Sequence, residues 1–96
     1  MLRISLVGKS AHAVTLRVEG RVIGPWVSVL REACEKVLAE GDVLTLDLSE
    51  VMFADRAGLA LLLDMRSQGV VLSECSAFLS EELRASGVAA DARRRT

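Results

Sequence analysis

The sequence predicts an α/β fold in which a small mixed β-sheet is covered by three helices, in the order β-β-α-β-α-β-α. Apolar residues alternate with polar ones at a period of two in the first part of the chain, which indicates strands, and later recur at helical spacing. The two patterns then follow each other in turn. Each β-α-β step should cross over right-handedly and leave its strands parallel.

The first two strands form the antiparallel part of the predicted sheet. Leu2, Ile4 and Leu6 alternate with polar residues, and the same alternation covers Val14–Val18. The segment Gly8–His12 between them contains turn-forming residues. The two strands should therefore form a hairpin at one side of the sheet.

Helix 1 and strand 3 follow a break in the strand pattern at Gly20–Gly24. Pro25 suits the first position of a helix, because its missing amide hydrogen costs nothing there. Gly41 is expected to end this helix. Val43–Leu48 is more apolar than the first two strands, which predicts a central strand.

Helix 2 is predicted over about residues 56–68, after a short loop, with Gly69 as its stop. Asp55 suits the N-cap, because its carboxylate can accept hydrogen bonds from the free amides of Ala57 and Gly58. Its negative charge would also lie at the positive end of the helix dipole.

The rest of the chain completes a single domain over residues 1–88. Val70–Leu72 is predicted as a short fourth strand, and residues 78–83 have the apolar spacing of helix 3, which Gly87 should close. Residues 89–96 have neither periodicity nor helix caps, so a disordered tail is expected there.

The composition is typical of one soluble globular domain, with 51% hydrophobic and 26% charged residues in a chain of 96. The net charge of −1 gives no electrostatic reason to expect binding to nucleic acid or to an anionic membrane. No segment approaches the ~18 consecutive apolar residues of a membrane span. Cys34 and Cys75 form no CxxC pair, so reduced thiols are expected. The N-terminus lacks a signal-peptide core, and we expect a cytoplasmic protein.

Few residues could perform catalysis. His12 is the only histidine and lies in the predicted hairpin turn, so it builds no Ser–His or Cys–His pair and no metal-ligand cluster. Gly8–Ser10 resembles the end of a phosphate-binding loop, but Arg3 stands where that loop needs glycine, and a strand follows instead of a helix. The sequence predicts a non-enzymatic protein without metal or cofactor.

Two apolar features leave alternatives open. Trp26, in the first turn of helix 1, either covers the end of the core, which is favoured, or borders a protein-binding face. Around helix 2 the apolar arc is too wide for one face of a sheet. Leu61 and Met65 are therefore either buried by a neighbouring helix, which is again favoured, or part of a partner surface.

The stretch Asp47–Leu63 resembles the signature of STAS domains, the family of bacterial anti-sigma factor antagonists. That signature runs from a strand through Asp-Leu and an apolar residue to Asp-Ser-Ser-Gly or Asp-Ser/Thr-x-Gly, and then into an apolar helix. Here Asp55–Gly58 stands in the place of the four-residue motif. The similarity covers nearly the whole chain, including the strand at Val14–Val18 and the stretch Gly69–Gly87.

The resemblance implies a regulatory module of transcription signalling that docks an ATP-binding anti-sigma factor of the histidine-kinase-like type. Docking would use the start of helix 2 and the loop before helix 1. The partner-binding residues expected on this basis are Asp55, Arg56, Ala57, Gly58, Ile23 and Trp26. In the family, the partner phosphorylates a serine or threonine at this helix start and the complex then dissociates, since a dianion disrupts a close-packed interface.

This sequence departs from the family at the phosphoacceptor. Arg56 and Ala57 fill the hydroxyl positions, and Ala57, where the family usually places its phosphoacceptor, cannot be phosphorylated. Ser49 is the nearest serine and is expected in the turn that leaves strand 3. We therefore expect a docking surface without the usual phosphorylation switch.

A second interpretation is a small STAS subunit of an ABC-type phospholipid transporter, which would bind the transporter's ATPase and need no phosphorylation. The missing hydroxyl favours the transporter subunit. The antagonist is favoured because antagonists are the broader class of proteins and because the chain is self-contained. A third, a nucleotide-binding or weak NTP-hydrolysing domain, lacks a phosphate loop. We expect no nucleic acid partner, no direct membrane insertion, and a monomer or weak homodimer.

Overall fold

The computed structural model describes residues 2–85, which form a four-stranded sheet and three helices. The elements are β1 (Leu2–Lys9), β2 (Ala13–Val22), α1 (Pro25–Ala39), β3 (Val43–Ala54), α2 (Arg56–Ser67), β4 (Val71–Ser73) and α3 (residues 77–85). The predicted order of elements is confirmed. No helix among the described residues is long and apolar enough to cross a membrane.

The sheet has the strand order β1-β2-β3-β4. β1 pairs with β2 in antiparallel orientation, and the β2–β3 and β3–β4 pairs are parallel. The predicted hairpin thus lies at one side of the sheet, and β3 is an inner strand of the sheet. Both β-α-β steps move across the sheet in the same direction, so right-handed crossovers place α1 and α2 on one face.

β2 and β3 extend beyond their predicted ends, at Val22 and Ala54 respectively. β3 has two register irregularities against β2, and at each of them β3 contributes one more residue than its partner. These bulges change the buried positions from every second residue to every third, namely Leu48, Val51 and Ala54. The predicted loop before helix 2 was therefore wrong, and Ser49 belongs to β3 instead of a turn.

The core lies between the sheet and the helices. Val14, Leu16 and Val18 of β2 and Leu44, Leu46 and Leu48 of β3 alternate with more exposed residues, as the period of two predicts for a half-covered sheet. The helices add buried side chains that include Leu30, Cys34, Leu61, Leu62, Met65, Leu79 and Leu83.

Leu61 and Met65 are fully buried, and α1 packs beside α2. Of the two alternatives for the wide apolar arc of α2, burial inside the fold is therefore correct. An exposed ion pair between Arg31 and Asp64, 3.2 Å apart, also joins the two helices. Both cysteines are free thiols, and burial raises the pKa of Cys34 to about 11.

The ends of the later elements differ slightly from their predicted bounds. α2 ends at Ser67, and Gly69 follows with a φ of 97°, the left-handed backbone conformation that favours glycine at a helix end. β4 begins one residue later than predicted. Gly87, the domain boundary at 88 and the predicted disordered tail 89–96 lie outside the described residues.

Candidate protein-docking site

The predicted site residues come from two segments that lie side by side. β2 ends at Val22 and β3 ends at Ala54, and these two residues are register partners in the parallel pair. The segment Ile23–Trp26, which starts α1, therefore lies beside the segment Asp55–Gly58, which starts α2. Parallel strands bring their carboxyl ends to the same edge of a sheet, so this fold juxtaposes the two helix starts.

The Asp55 carboxylate links the two segments. Its Oδ1 accepts a hydrogen bond from the Gly58 amide at 2.8 Å, which caps α2 as predicted. Its Oδ2 accepts from the Gly24 amide at 3.1 Å, across 31 positions of sequence. The hydrogen bond from the Gly58 amide, followed by that from the Gly24 amide, holds the pKa of Asp55 below its ordinary value of 3.8. The carboxylate thus accepts from Gly58 as predicted, and its second amide donor is Gly24 instead of Ala57.

Gly58 allows the start of α2 to lie directly against the end of β2. A Cβ atom at this position would lie 2.2 Å from the carbonyl oxygen of Val22 and 3.1 Å from its Cγ1. The same carbonyl oxygen accepts a hydrogen bond from the Asp55 amide at 3.2 Å. Glycine is thus required here by close packing, and its helical backbone conformation is an ordinary one.

α1 begins differently from α2. Gly24, its N-cap, has a φ of 54° and a ψ of −133° and supplies no side chain for capping. Pro25 occupies the first turn, as predicted, and the Trp26 amide donates to the Ile23 carbonyl at 3.0 Å. Trp26 and Ile23 are half-buried, which leaves part of each side chain on the surface.

Comparison with known proteins assigns the family. The family model described as "Mlab, STAS domain" matches residues 5–90, most of the chain. The chain belongs to the STAS domain family. A search of curated proteins returned no match.

The STAS fold is also present in a solved structure of the anti-sigma factor antagonist SpoIIAA in its unphosphorylated form. The two chains share 17% sequence identity and superpose with a TM-score of 0.73. The match covers 88% of this chain and 81% of SpoIIAA. At this level of identity, the likeness shows the shared fold alone.

Within this STAS domain, Arg56 and Ala57 are the exposed residues of the first turn of α2. Ala57 presents a methyl group and no hydroxyl. Ser49 lies within β3, where its amide and its hydroxyl both donate to Oδ1 of Asp47, at 3.0 and 2.8 Å. These two hydrogen bonds are the main reason that the pKa of Asp47 is lowered.

Exposed apolar side chains border the site, and the sequence reasoning missed them. Met52 is 69% exposed and Phe53 is 44% exposed, just before Asp55. The Phe53 ring stacks on Phe78 of α3, with 5.5 Å between the ring centroids. The run Val51–Ala54 indicates such exposure, because four consecutive apolar residues in a strand cannot all face one core.

A shallow groove of about 610 Å³ continues from these side chains between α2 and α3. Its lining combines apolar residues with three charged ones: Phe53, Ala54, Asp55, Arg56, Leu59, Ala60, Leu63, Phe78 and Glu82. The described residues contain no group of three or more His, Cys, Asp or Glu side chains that could hold a metal ion. The arrangement offers a contact surface.

Proposed function

We propose that this STAS domain is a non-enzymatic regulatory module that docks an ATP-binding protein in the cytoplasm through the paired starts of α1 and α2. The partner we favour is an anti-sigma factor of the histidine-kinase-like type. The observation on which the proposal rests is the Asp55 carboxylate, which joins the two helix starts into one surface. A surface already formed before binding loses little conformational entropy in the complex.

Arg56 supports a binding role for this surface. It occupies the first helical position of α2, where the helix dipole disfavours a cation, and the first turn contains no acidic residue. Its side chain is exposed, so packing of the core does not require it. A guanidinium exposed at this position is well suited to a carboxylate of a partner.

Docking would proceed without a phosphate switch at the usual place, because Ala57 has no hydroxyl. This feature also favours the second candidate, a small STAS subunit of an ABC-type phospholipid transporter that binds the transporter's ATPase. Such a subunit need not depend on phosphorylation. The two candidates predict the same docking surface and different ATPases.

The test measures binding to two purified classes of ATPase from the source organism, the histidine-kinase-like anti-sigma factors and the ABC ATPases. We expect one class to bind the wild type, and Ala57→Glu to weaken that binding at least tenfold by placing a charge in a packed interface. Glutamate in the first turn of a helix is favourable to the helix itself, so the fold should persist. Ala11→Glu, in the exposed turn between β1 and β2 at the other end of the sheet, is the matched control.

Each outcome distinguishes the proposals. Binding to a histidine-kinase-like ATPase supports the antagonist, and binding to an ABC ATPase supports the transporter subunit. Unchanged affinity of Ala57→Glu would place the interface elsewhere, and no binding to either class would refute the proposal. After incubation with the partner and ATP, a phosphate found by mass spectrometry within residues 47–58 would disprove the absence of a switch.

A further inference from the structure

The outer side of β1 is an unpaired strand edge in the sheet of residues 2–85. β1 is the first strand in the order β1-β2-β3-β4 and has eight residues. Leu6 and Val7 on this strand are 59% and 47% exposed. An edge strand presents free backbone amides and carbonyls, which are a template for pairing with another strand.

We propose that β1 pairs with β1 of a second copy of this chain, in antiparallel orientation about a two-fold axis at Ile4. The two sheets would then form one sheet of eight strands. Leu2 would lie opposite Leu6 of the other copy, and Arg3 opposite Ser5. The inference goes beyond the proposed function and requires no ATPase.

A second copy fits this edge because a strand edge is self-complementary under a two-fold axis. Pairing about Ile4 sets even-numbered residues opposite even-numbered ones, so the apolar residues of both copies share one face of the sheet. Leu6, which is 59% exposed, would gain contact with Leu2 of the other copy. Burial of such apolar area is favourable.

The charges of β1 are compatible with this pairing. Arg3 is the register partner of Glu19 on β2, so residues of opposite charge occupy opposing positions of the β1–β2 pair. Across the two-fold axis Arg3 would face the hydroxyl of Ser5, and no like charges would be directly opposed. Lys9 lies outside the paired stretch of residues 2–6, beyond the irregularity between Leu6 and Gly8 that ends the regular part of the strand.

The opposite edge of the sheet is less suited to pairing. β4 has only three residues, Val71–Ser73, and short edge strands are a known protection against edge-to-edge association. It nevertheless exposes Val71, which is 49% exposed. Val71 therefore provides a matched control for Leu6.

Sedimentation equilibrium of the purified chain tests the dimer. We expect a reversible monomer–dimer equilibrium for the wild type. The dissociation constant of the dimer should be at least tenfold larger for Leu6→Lys, since an ammonium group would replace the apolar contact. Val71→Lys makes the same charge change on the other edge and should leave the constant unchanged. A wild type that stays monomeric up to about 1 mM, or a dimer that only Val71→Lys or neither variant weakens, would overturn the proposal.

Disulfide trapping tests the register. In a Cys34→Ala, Cys75→Ala background, Ile4→Cys places two cysteines directly opposite each other, where the distance between Cα atoms in an antiparallel pair is about 4.5–5.5 Å. This lies within the range for a disulfide. Oxidised Ile4→Cys should run as a covalent dimer and Arg3→Cys, offset by two positions, should not. Efficient cross-linking of Arg3→Cys alone would contradict the Ile4 axis.

Discussion

The starts of α1 and α2 lie next to each other but are stabilised in different ways. α2 is capped by the residue directly before it, because Asp55 accepts from the amide three positions further on. α1 begins at Gly24, which has no side chain for capping and a positive φ. The Gly24 amide instead donates a hydrogen bond to the carboxylate of Asp55, which lies 31 positions further along the chain.

The difference shows that a single carboxylate can fix two helix starts if a close contact brings them together. That contact is between Gly58 and the end of β2 at Val22. The conformation of the Ile23–Gly24 segment thus depends on the position of α2. A change at α2 should alter both halves of the proposed docking surface, whereas a change in α1 should act locally.

The largest effect is expected from removing the close contact. Gly58→Ala would place a methyl group 2.2 Å from the Val22 carbonyl oxygen, so α2 or β2 must move. Overpacking of this kind destabilises by about 1–3 kcal/mol. For a domain of this size each kcal/mol lowers Tm by roughly 4–8 °C. Thermal and urea unfolding followed by circular dichroism would measure both quantities.

Gly8→Ala is the control for Gly58→Ala. A Cβ atom at Gly8 would lie 3.5 Å from Cβ of Thr15, an ordinary van der Waals contact. Its Tm should remain close to that of the wild type. If Gly58→Ala proves as stable as Gly8→Ala, the close approach of α2 to β2 does not determine the position of the site.

A smaller effect separates the two functions of Asp55. Asparagine is as good an N-cap as aspartate, but its side chain has one carbonyl oxygen, so Asp55→Asn should keep the bond to Gly58 and lose the bond to Gly24. Asp55→Ala loses both. We expect Tm to fall in the order wild type, Asp55→Asn, Asp55→Ala.

Amide hydrogen exchange measured by NMR reports on each bond directly. In Asp55→Asn the Gly24 amide should exchange faster than in the wild type, while the Gly58 amide stays protected. In Asp55→Ala both amides should exchange faster. Equal protection of Gly24 in the wild type and in Asp55→Asn would show that the long-range bond does not hold the α1 start.

The fold class and the element order followed from the sequence because hydrophobic periodicity is a local property. The same approach failed at residues 49–54, where two bulges in β3 replace the strand period of two by a period of three. Nothing in a single strand's pattern identifies a bulge, since the extra residue is defined only against the partner strand. The sequence therefore predicted a loop at residues where β3 in fact continues to Ala54.

The site shows the same division between local and long-range information. The N-cap of Asp55 was predictable because its donor at Gly58 lies three residues away. The Gly24 bond and the packing of Gly58 on Val22 were not, because both depend on the strand register that places β2 beside β3. The apolar run Val51–Ala54 indicated that some of its side chains are exposed, but the bulges determine that these are Met52 and Phe53.

The smallest effect concerns pH and isolates the Asp55 charge. The pKa of Asp55 is lower in the folded protein than in the unfolded chain, so the unfolded state binds more protons at low pH. The carboxylate therefore contributes stability that is lost as the pH falls through the folded-state pKa. The contribution is fully present above the ordinary value of 3.8.

The measurement compares the wild type with Asp55→Ala. Asp47, whose pKa is also lowered, titrates in both proteins alike, so its contribution largely cancels in their comparison. The Tm difference between these two proteins should therefore be constant from pH 7 to about pH 5 and shrink below about pH 4. A difference that stays constant down to pH 2.5 would mean that the neutral carboxyl holds the helix starts as well as the carboxylate does.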